Sequence, residues 1–207
     1  MSRYVIGLTG GIACGKSHLS AALKEAGARV VDADEISRAL TAPGGAALPL
    51  IRAAWGERVF AGEALDRRAL SQVVFSDETE LRRLNDMLHP LIFAQMRREL
   101  EKTRGVAVMD VPLLYETGLD QWCDEVWCAY VPQAEQILRL RRRSDLTRKE
   151  ALLRIRAQMP AREKARRADR VIRTDGSKEE SARAVLRLWQ AALEKQQSQK
   201  GEIFTDE

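Results

Sequence analysis

Eight consecutive residues near the start of the chain, Gly10-Gly11-Ile12-Ala13-Cys14-Gly15-Lys16-Ser17, fit the spacing G-x-x-x-x-G-K-[ST]. Gly10 and Gly15 allow turns closed to side chains, so successive N–H groups can converge on one point. A helix starting directly after them adds the positive end of its dipole, and the resulting cradle suits phosphate oxygens. Lys16 brings a flexible charge to the β- and γ-phosphates, and the Ser17 hydroxyl is placed to ligate Mg²⁺. Gly11, Ile12, Ala13, Cys14 and Gly15 are the remaining nucleotide-binding candidates, with His18 expected near the α-phosphate. The same string could also be a glycine-rich turn that caps a helix. Its surroundings decide between the two.

Carboxylates supply the other half of the chemistry. Arg29-Val30-Val31-Asp32-Ala33-Asp34 reads as a short strand ending in two acids. Ligands of open α/β sheets gather at the carboxyl ends of strands, and alternation would send Asp32 and Asp34 to one side. Beside a phosphate cradle, Asp34 is the candidate general base for a hydroxyl acceptor. Asp32 is the candidate to hold Mg²⁺ through water or to orient Asp34. Capping the next helix is the competing use of this pair. Asp110 likewise ends an apolar strand, either near the metal or as a plain strand-end turn.

The positioning elements follow from periodicity. Residues 4–9 are a buried strand, and Leu19, Ala22, Leu23 and Ala26 have helical spacing, so the loop stands between strand and helix. A helix over 35–40 is ended by Pro43-Gly44-Gly45. Residues 46–102 read as helical throughout, with a long helix from 77 or 78 to 102 interrupted near His89-Pro90. Further strands are expected at 105–110, 125–131 and 170–173. Basic helices are expected over 133–143 and from the Thr147/Glu150 capping box to 158, and Ser177/Glu180 cap the last helix. The fold class is therefore α/β: a five-stranded parallel doubly wound core with a helical insertion and a basic hairpin. The expected division is a nucleotide core of 1–42, 104–138 and 168–195, an insertion at 43–103, a basic lid at 139–167 and a disordered tail at 196–207.

Composition narrows the setting. No apolar run approaches the roughly 20 residues of a membrane span, and no secretory leader is visible, so no membrane partner is expected. Three cysteines, Cys14, Cys123 and Cys128, fit neither a disulfide framework nor paired zinc spacing, which suits a reducing cytoplasm. Residues 139–173 hold fourteen Lys/Arg against four Asp/Glu, while the whole chain carries only +4. Such a segment either covers a polyanion or is a solvated surface. It contains no aromatic residue for base stacking, which argues against a nucleic-acid partner.

Together these stretches resemble the dephospho-coenzyme A kinases from Val5 to about Trp189. The resemblance rests on Gly7-Leu8-Thr9-Gly10-Gly11-Ile12 with Gly15-Lys16-Ser17, Val31-Asp32-Ala33-Asp34, Leu65-Asp66-Arg67 and Leu70. It continues with Leu84-Asn85, Leu88-His89-Pro90, Pro112-Leu113-Leu114-Tyr115-Glu116, Arg154 with Gln158, and Ala168-Asp169 with Val171-Ile172. It implies a P-loop kinase core similar to adenylate-kinase-like proteins, a helical acceptor domain and a mobile lid. It also implies transfer of the γ-phosphoryl of ATP, with Mg²⁺, to the ribose 3′-hydroxyl of dephospho-CoA. Asp34 would be the catalytic aspartate beside Lys16, and Arg141 a lid arginine that neutralises charge on the transferred group. Thr9, Asp34, Arg67, Asn85, His89, Leu113 and Glu116 would hold the acceptor, and a monomer is expected. The sequence departs from the family at Ala13-Cys14, where Gly-Ser is common, and at Thr174-Asp175-Gly176, where Asn-Asp-Gly is frequent. Two rivals remain: a nucleic-acid-dependent P-loop ATPase, and a kinase for a nucleoside or sugar hydroxyl.

Overall fold

The computed structural model describes residues 3–202. In chain order, β1 (Tyr4–Gly10) leads into α1 (Lys16–Glu25), then β2 (Arg29–Asp32) and α2 (Ala33–Leu40). Next come α3 (Leu48–Trp55), β3 (Phe60–Ala61), β4 (Ala64–Leu65), α4 (Arg67–Ser76) and α5 (Glu78–Glu101). The chain continues through β5 (Val106–Asp110), β6 (Glu125–Tyr130), α6 (Gln133–Ser144) and α7 (Arg148–Arg156). It ends with α8 (Ala161–Arg167), β7 (Arg170–Arg173) and α9 (Lys178–Glu202). Two compact units result: one takes the chain up to Val31 and from Thr103 onward, the other is Asp32–Lys102.

The first unit is built on a five-stranded parallel sheet in the order β2-β5-β1-β6-β7. All seven residues of the central strand β1 are buried. A strand covered on both faces needs such an unbroken apolar run, which is why 4–9 reads so clearly in the sequence. Ile6, Leu8, Leu19, Leu23, Trp127, Val185 and Trp189 share one core with it, each such side chain contributing about 1.5–3 kcal/mol when fully buried. Parallel register sets Leu8 opposite Asp110 and Gly10 opposite Ala129. At Gly10 a Cβ would come within 2.7 Å of the Ala129 carbonyl oxygen, so the strand end tolerates no side chain.

The second unit packs α3, α4 and α5 around Ala47, Ile51, Trp55, Val59, Leu70 and Val74. Trp55 Nε1 donates to Glu80 at 2.6 Å, and the Arg67 guanidinium donates to Thr41 Oγ1 at 2.8 Å.

Four expectations are corrected. The helix over 77–102 does not break at His89-Pro90, because α5 runs through with Pro90 inside it. Leu81, Leu84, Met87, Leu88 and Leu91 pack on the unit's core on both sides of the proline. Asp86, whose carbonyl loses its helical partner to Pro90, is exposed, so water can satisfy it. Residues 46–102 are not wholly helical: Gly62-Glu63 turns a short antiparallel hairpin, β3–β4. β2 stops at Asp32 and α2 begins at Ala33, so the alternation argument for Asp34 lapses. The frayed tail expected from 196 is helical as far as Glu202, because Val185, Trp189, Ala192 and Gln196 keep one buried stripe going. Residues 203–207 lie outside the described part.

Candidate functional site

The loop between β1 and α1 has two left-handed residues, Ala13 at φ 62° and Gly15 at φ 80°. Its conformation is fixed from within, by Cys14 N–H donating to Gly11 O at 3.0 Å, and from behind, by Thr174 Oγ1 donating to Cys14 O at 2.7 Å. Among the described residues, no internal acceptor takes the N–H groups of Ala13, Gly15, Lys16 or Ser17. Four donors in one short turn at the head of a ten-residue helix form an anion cradle.

The basic segment sits on this loop. Ile12 and Ala13, like Ile137 and Leu146, pack against Leu140, Ala151 and Ile155. Ile12 is held at both ends: its N–H donates to Gln158 Oε1 at 3.1 Å, and its carbonyl accepts from Gln136 Nε2 at 2.7 Å. Arg139 donates to Thr174 O at 2.5 Å and to Ala13 O at 3.5 Å, while Glu135 holds its Nε at 2.8 Å.

The other loop candidates have distinct fates. Lys16 donates to Asp110 at the end of β5, and its side chain is 12% exposed against 2% for the acid. The Ser17 residue is exposed. His18 Nε2 lies 2.9 Å from Lys178 O at the start of α9. Arg141 is exposed, about 200° around the helix from Arg139. Burial pushes the Cys14 thiol above its ordinary range, more strongly than the Val131 and Gly11 backbone contacts lower it.

The acceptor candidates, and the metal candidate Asp32, divide between the two units. In the first, Thr9 is fully buried and its hydroxyl donates to Pro112 O at 3.2 Å. Leu113 is half-buried, and its carbonyl accepts from Thr117 Oγ1 at 2.8 Å. Glu116 pairs with Lys164 at 2.9 Å and accepts the Met159 N–H at 2.9 Å. In the second, Asp32 N-caps α2, its Oδ1 accepting from Asp34 N–H at 2.8 Å and Glu35 N–H at 3.0 Å. Asp34 is exposed on the first helical turn. Asn85 and His89 are one turn apart on α5, therefore on one face. His89 stacks on Phe93 with ring centroids 5.4 Å apart; burial lowers its pKa and Asp86 partly offsets that. Arg67 also reaches Arg38 O, at 3.4 Å.

Three residues of the loop's surroundings escaped sequence reasoning. Gln136 has a signal, being a glutamine one turn before Leu140 on the buried face of α6. Arg139 could not be told from its basic neighbours, because nothing in a run of arginines marks which face docks. Lys164, fully buried on α8, stands among basic residues that composition assigns to solvent or to phosphate.

A family model described as dephospho-CoA kinase matches residues 4–180. The chain belongs to the dephospho-CoA kinase family. It is 45% identical over 200 residues to the dephospho-CoA kinase of Geobacillus kaustophilus, covering 92% of this chain and 98% of that one. The crystal structure of TT1252 from Thermus thermophilus superposes with a TM-score of 0.80 at 34% identity, over 93% of this chain and 99% of that one. The dephospho-CoA kinase of Campylobacter jejuni shares the fold, with a TM-score of 0.67 at 20% identity over 93% and 98% of the two chains. Like the rest of its family, the chain is an ATP-dependent kinase. The described residues contain no helix long and apolar enough to cross a membrane. The two departures from dephospho-CoA kinase pattern have structural correlates. Ala13 takes a left-handed φ that glycine would take freely, and Thr174 supports the loop through Cys14 O.

Proposed function

We propose that the chain phosphorylates the ribose 3′-hydroxyl of dephospho-CoA with ATP, giving CoA and ADP at the last step of coenzyme A synthesis. The four unpaired loop amides at the head of α1 carry this reading, together with membership of the family. Phosphoryl transfer passes through a loose transition state, so placing the groups and neutralising charge account for most of the catalysis. The loop amides and Lys16 hold the terminal phosphates, with Lys16 leaving Asp110 to do so. Asp34 accepts the proton of the attacking hydroxyl as it is lost. Arg67, Asn85, His89, Leu113 and Thr9 orient the acceptor, and Arg141 approaches the transferred group when nucleotide is bound. Arg139 is the better-supported arginine for fixing the loop itself.

Ser17, an exposed hydroxyl residue, and Asp32, a carboxylate at a helix N-terminus, are each of a donor type that suits Mg²⁺. Mg²⁺ keeps several waters and binds mainly through one or two carboxylates and substrate phosphates. When bound it would neutralise charge on the β- and γ-phosphates. The chain is taken to act as a cytoplasmic monomer, its three free cysteines suiting a reducing compartment.

A coupled ADP-release assay across acceptors tests the proposal. ADP formation that depends on dephospho-CoA and is absent with adenosine or simple sugars is expected. Equal turnover with a nucleoside or sugar would move the chain to the rival acceptor class.

A further inference from the structure

Lys164 has no exposed side-chain surface, although it belongs to the most basic stretch of the chain. A buried ammonium is retained only where partners replace its water. Here they are the Pro112 carbonyl at 2.5 Å and both carboxylate oxygens of Glu116, at 2.9 and 3.0 Å. Each partner also binds something else. The Pro112 carbonyl accepts from Thr9 Oγ1, just before Gly10, and Glu116 accepts the Met159 N–H. The residue before Met159 is Gln158, whose side chain accepts the Ile12 N–H of the phosphate loop. One buried charge thus joins the end of β1, the turn after β5 and the turn between α7 and α8.

We propose that Lys164 is a positioning residue for phosphoryl transfer: with Glu116 it clamps the α7–α8 turn to the loop after β5, and so holds Gln158 against Ile12. This rests on the kinase reading above for its catalytic consequence, whereas the clamp itself does not. Glu116 then acts chiefly through Lys164 and Met159 rather than by touching the acceptor. The amides of Gly15, Lys16 and Ser17 are outside the clamp, so ground-state nucleotide binding should depend on it weakly and the chemical step strongly.

The test uses the full chain with Lys164→Met, Glu116→Gln and the double variant. Amide hydrogen exchange without ligand and steady-state ADP release with ATP and dephospho-CoA are both measured. Lys164→Met should speed exchange at Ile12 and Met159 by about tenfold or more while Ile6 in β1 is unchanged. Its kcat should fall about tenfold with KM for ATP within about threefold, and the double variant should be no worse than Lys164→Met. If Lys164→Met fails to fold, Glu116→Gln bears the same expectations. Failure of both to fold overturns a positioning role in favour of a structural one. Unchanged exchange at Ile12 and Met159 overturns the proposal, as does a lowered Tm with kcat intact. A rise in KM for dephospho-CoA confined to Glu116→Gln overturns it in favour of direct acceptor contact. Wild-type protein lacking dephospho-CoA-dependent turnover defeats the acceptor reading and leaves the exchange result to judge the clamp.

Discussion

The Lys16 ammonium donates to the Asp110 carboxylate, tying the first residue of α1 to the last of β5 across 94 residues of sequence. The acid is almost wholly buried. The loop lysine is thus held by an internal anion before any phosphate arrives, and a nucleotide must compete for it. Asp110→Asn weakens that competitor. ATP affinity measured by calorimetry without divalent metal should rise several-fold, by about 1 kcal/mol for one charge-assisted bond partly replaced. Unchanged or weaker binding would show that Asp110 does not hold Lys16 back.

Ala13 at φ 62° sits in a region that disfavours a β-carbon by about 1–2 kcal/mol. Ala13→Gly removes that strain, and only part of the gain is returned as unfolded-chain entropy. A net stabilisation of about 0.5–1 kcal/mol is expected, raising Tm by a few degrees. A lower Tm would mean that packing of the Ala13 methyl against the basic hairpin outweighs the strain.

All three thiols should be inert in the native chain. Burial pushes Cys14 up, and it drives Cys123 and Cys128 up to about 12, with the carboxylates of Asp120, Asp124 and Asp169 adding to the rise at Cys123. A helix N-terminus generally favours thiolate, but at Cys14 desolvation dominates. Titration with a disulfide reagent near neutral pH should find none of the three reacting quickly in native protein and all three after denaturation. Fast modification of Cys14, slowed by ATP, would contradict this.

His89 predicts how stability depends on pH. Its folded-state pKa lies below the ordinary 6.5, chiefly through burial. Between those two values the unfolded chain binds more protons, so stability falls as pH drops through about 6.5 and is restored above it. Tm should decline between about pH 7.5 and about pH 5.5, and His89→Gln should flatten that part of the profile. A decline of equal steepness in the variant would assign the effect to other groups.

Features carried by a run of adjacent residues were legible in the sequence, whereas features set by tertiary docking were not. The all-buried β1, the glycine at φ 80° and the Thr147/Glu150 capping box leave local signatures, an apolar run, a motif spacing and a residue pair, and each is where its signature places it. Pro90 also has a local signature, a helix break, but leucines packed on both sides override it. Two-residue strands such as β3 and β4 are too short to show alternation, and only Gly62-Glu63 hints at their turn. Arg139 and Arg141 are chemically identical, and their different settings follow from which face of α6 docks on Ile12 and Ala13. Asp32 shows the same limit, since a strand-end acid and an N-cap look alike until β2 is seen to stop there.

The most direct test is turnover of Asp34→Asn, with nucleotide affinity measured on the same preparation. The substitution keeps the size and the helical setting of a residue exposed on the first turn of α2. If Asp34 receives the acceptor's proton, kcat should fall by about 10²–10⁴-fold while ATP binding and Tm stay near wild type. Near-full turnover by Asp34→Asn would contradict the account, leaving the phosphate cradle without the base assigned to it.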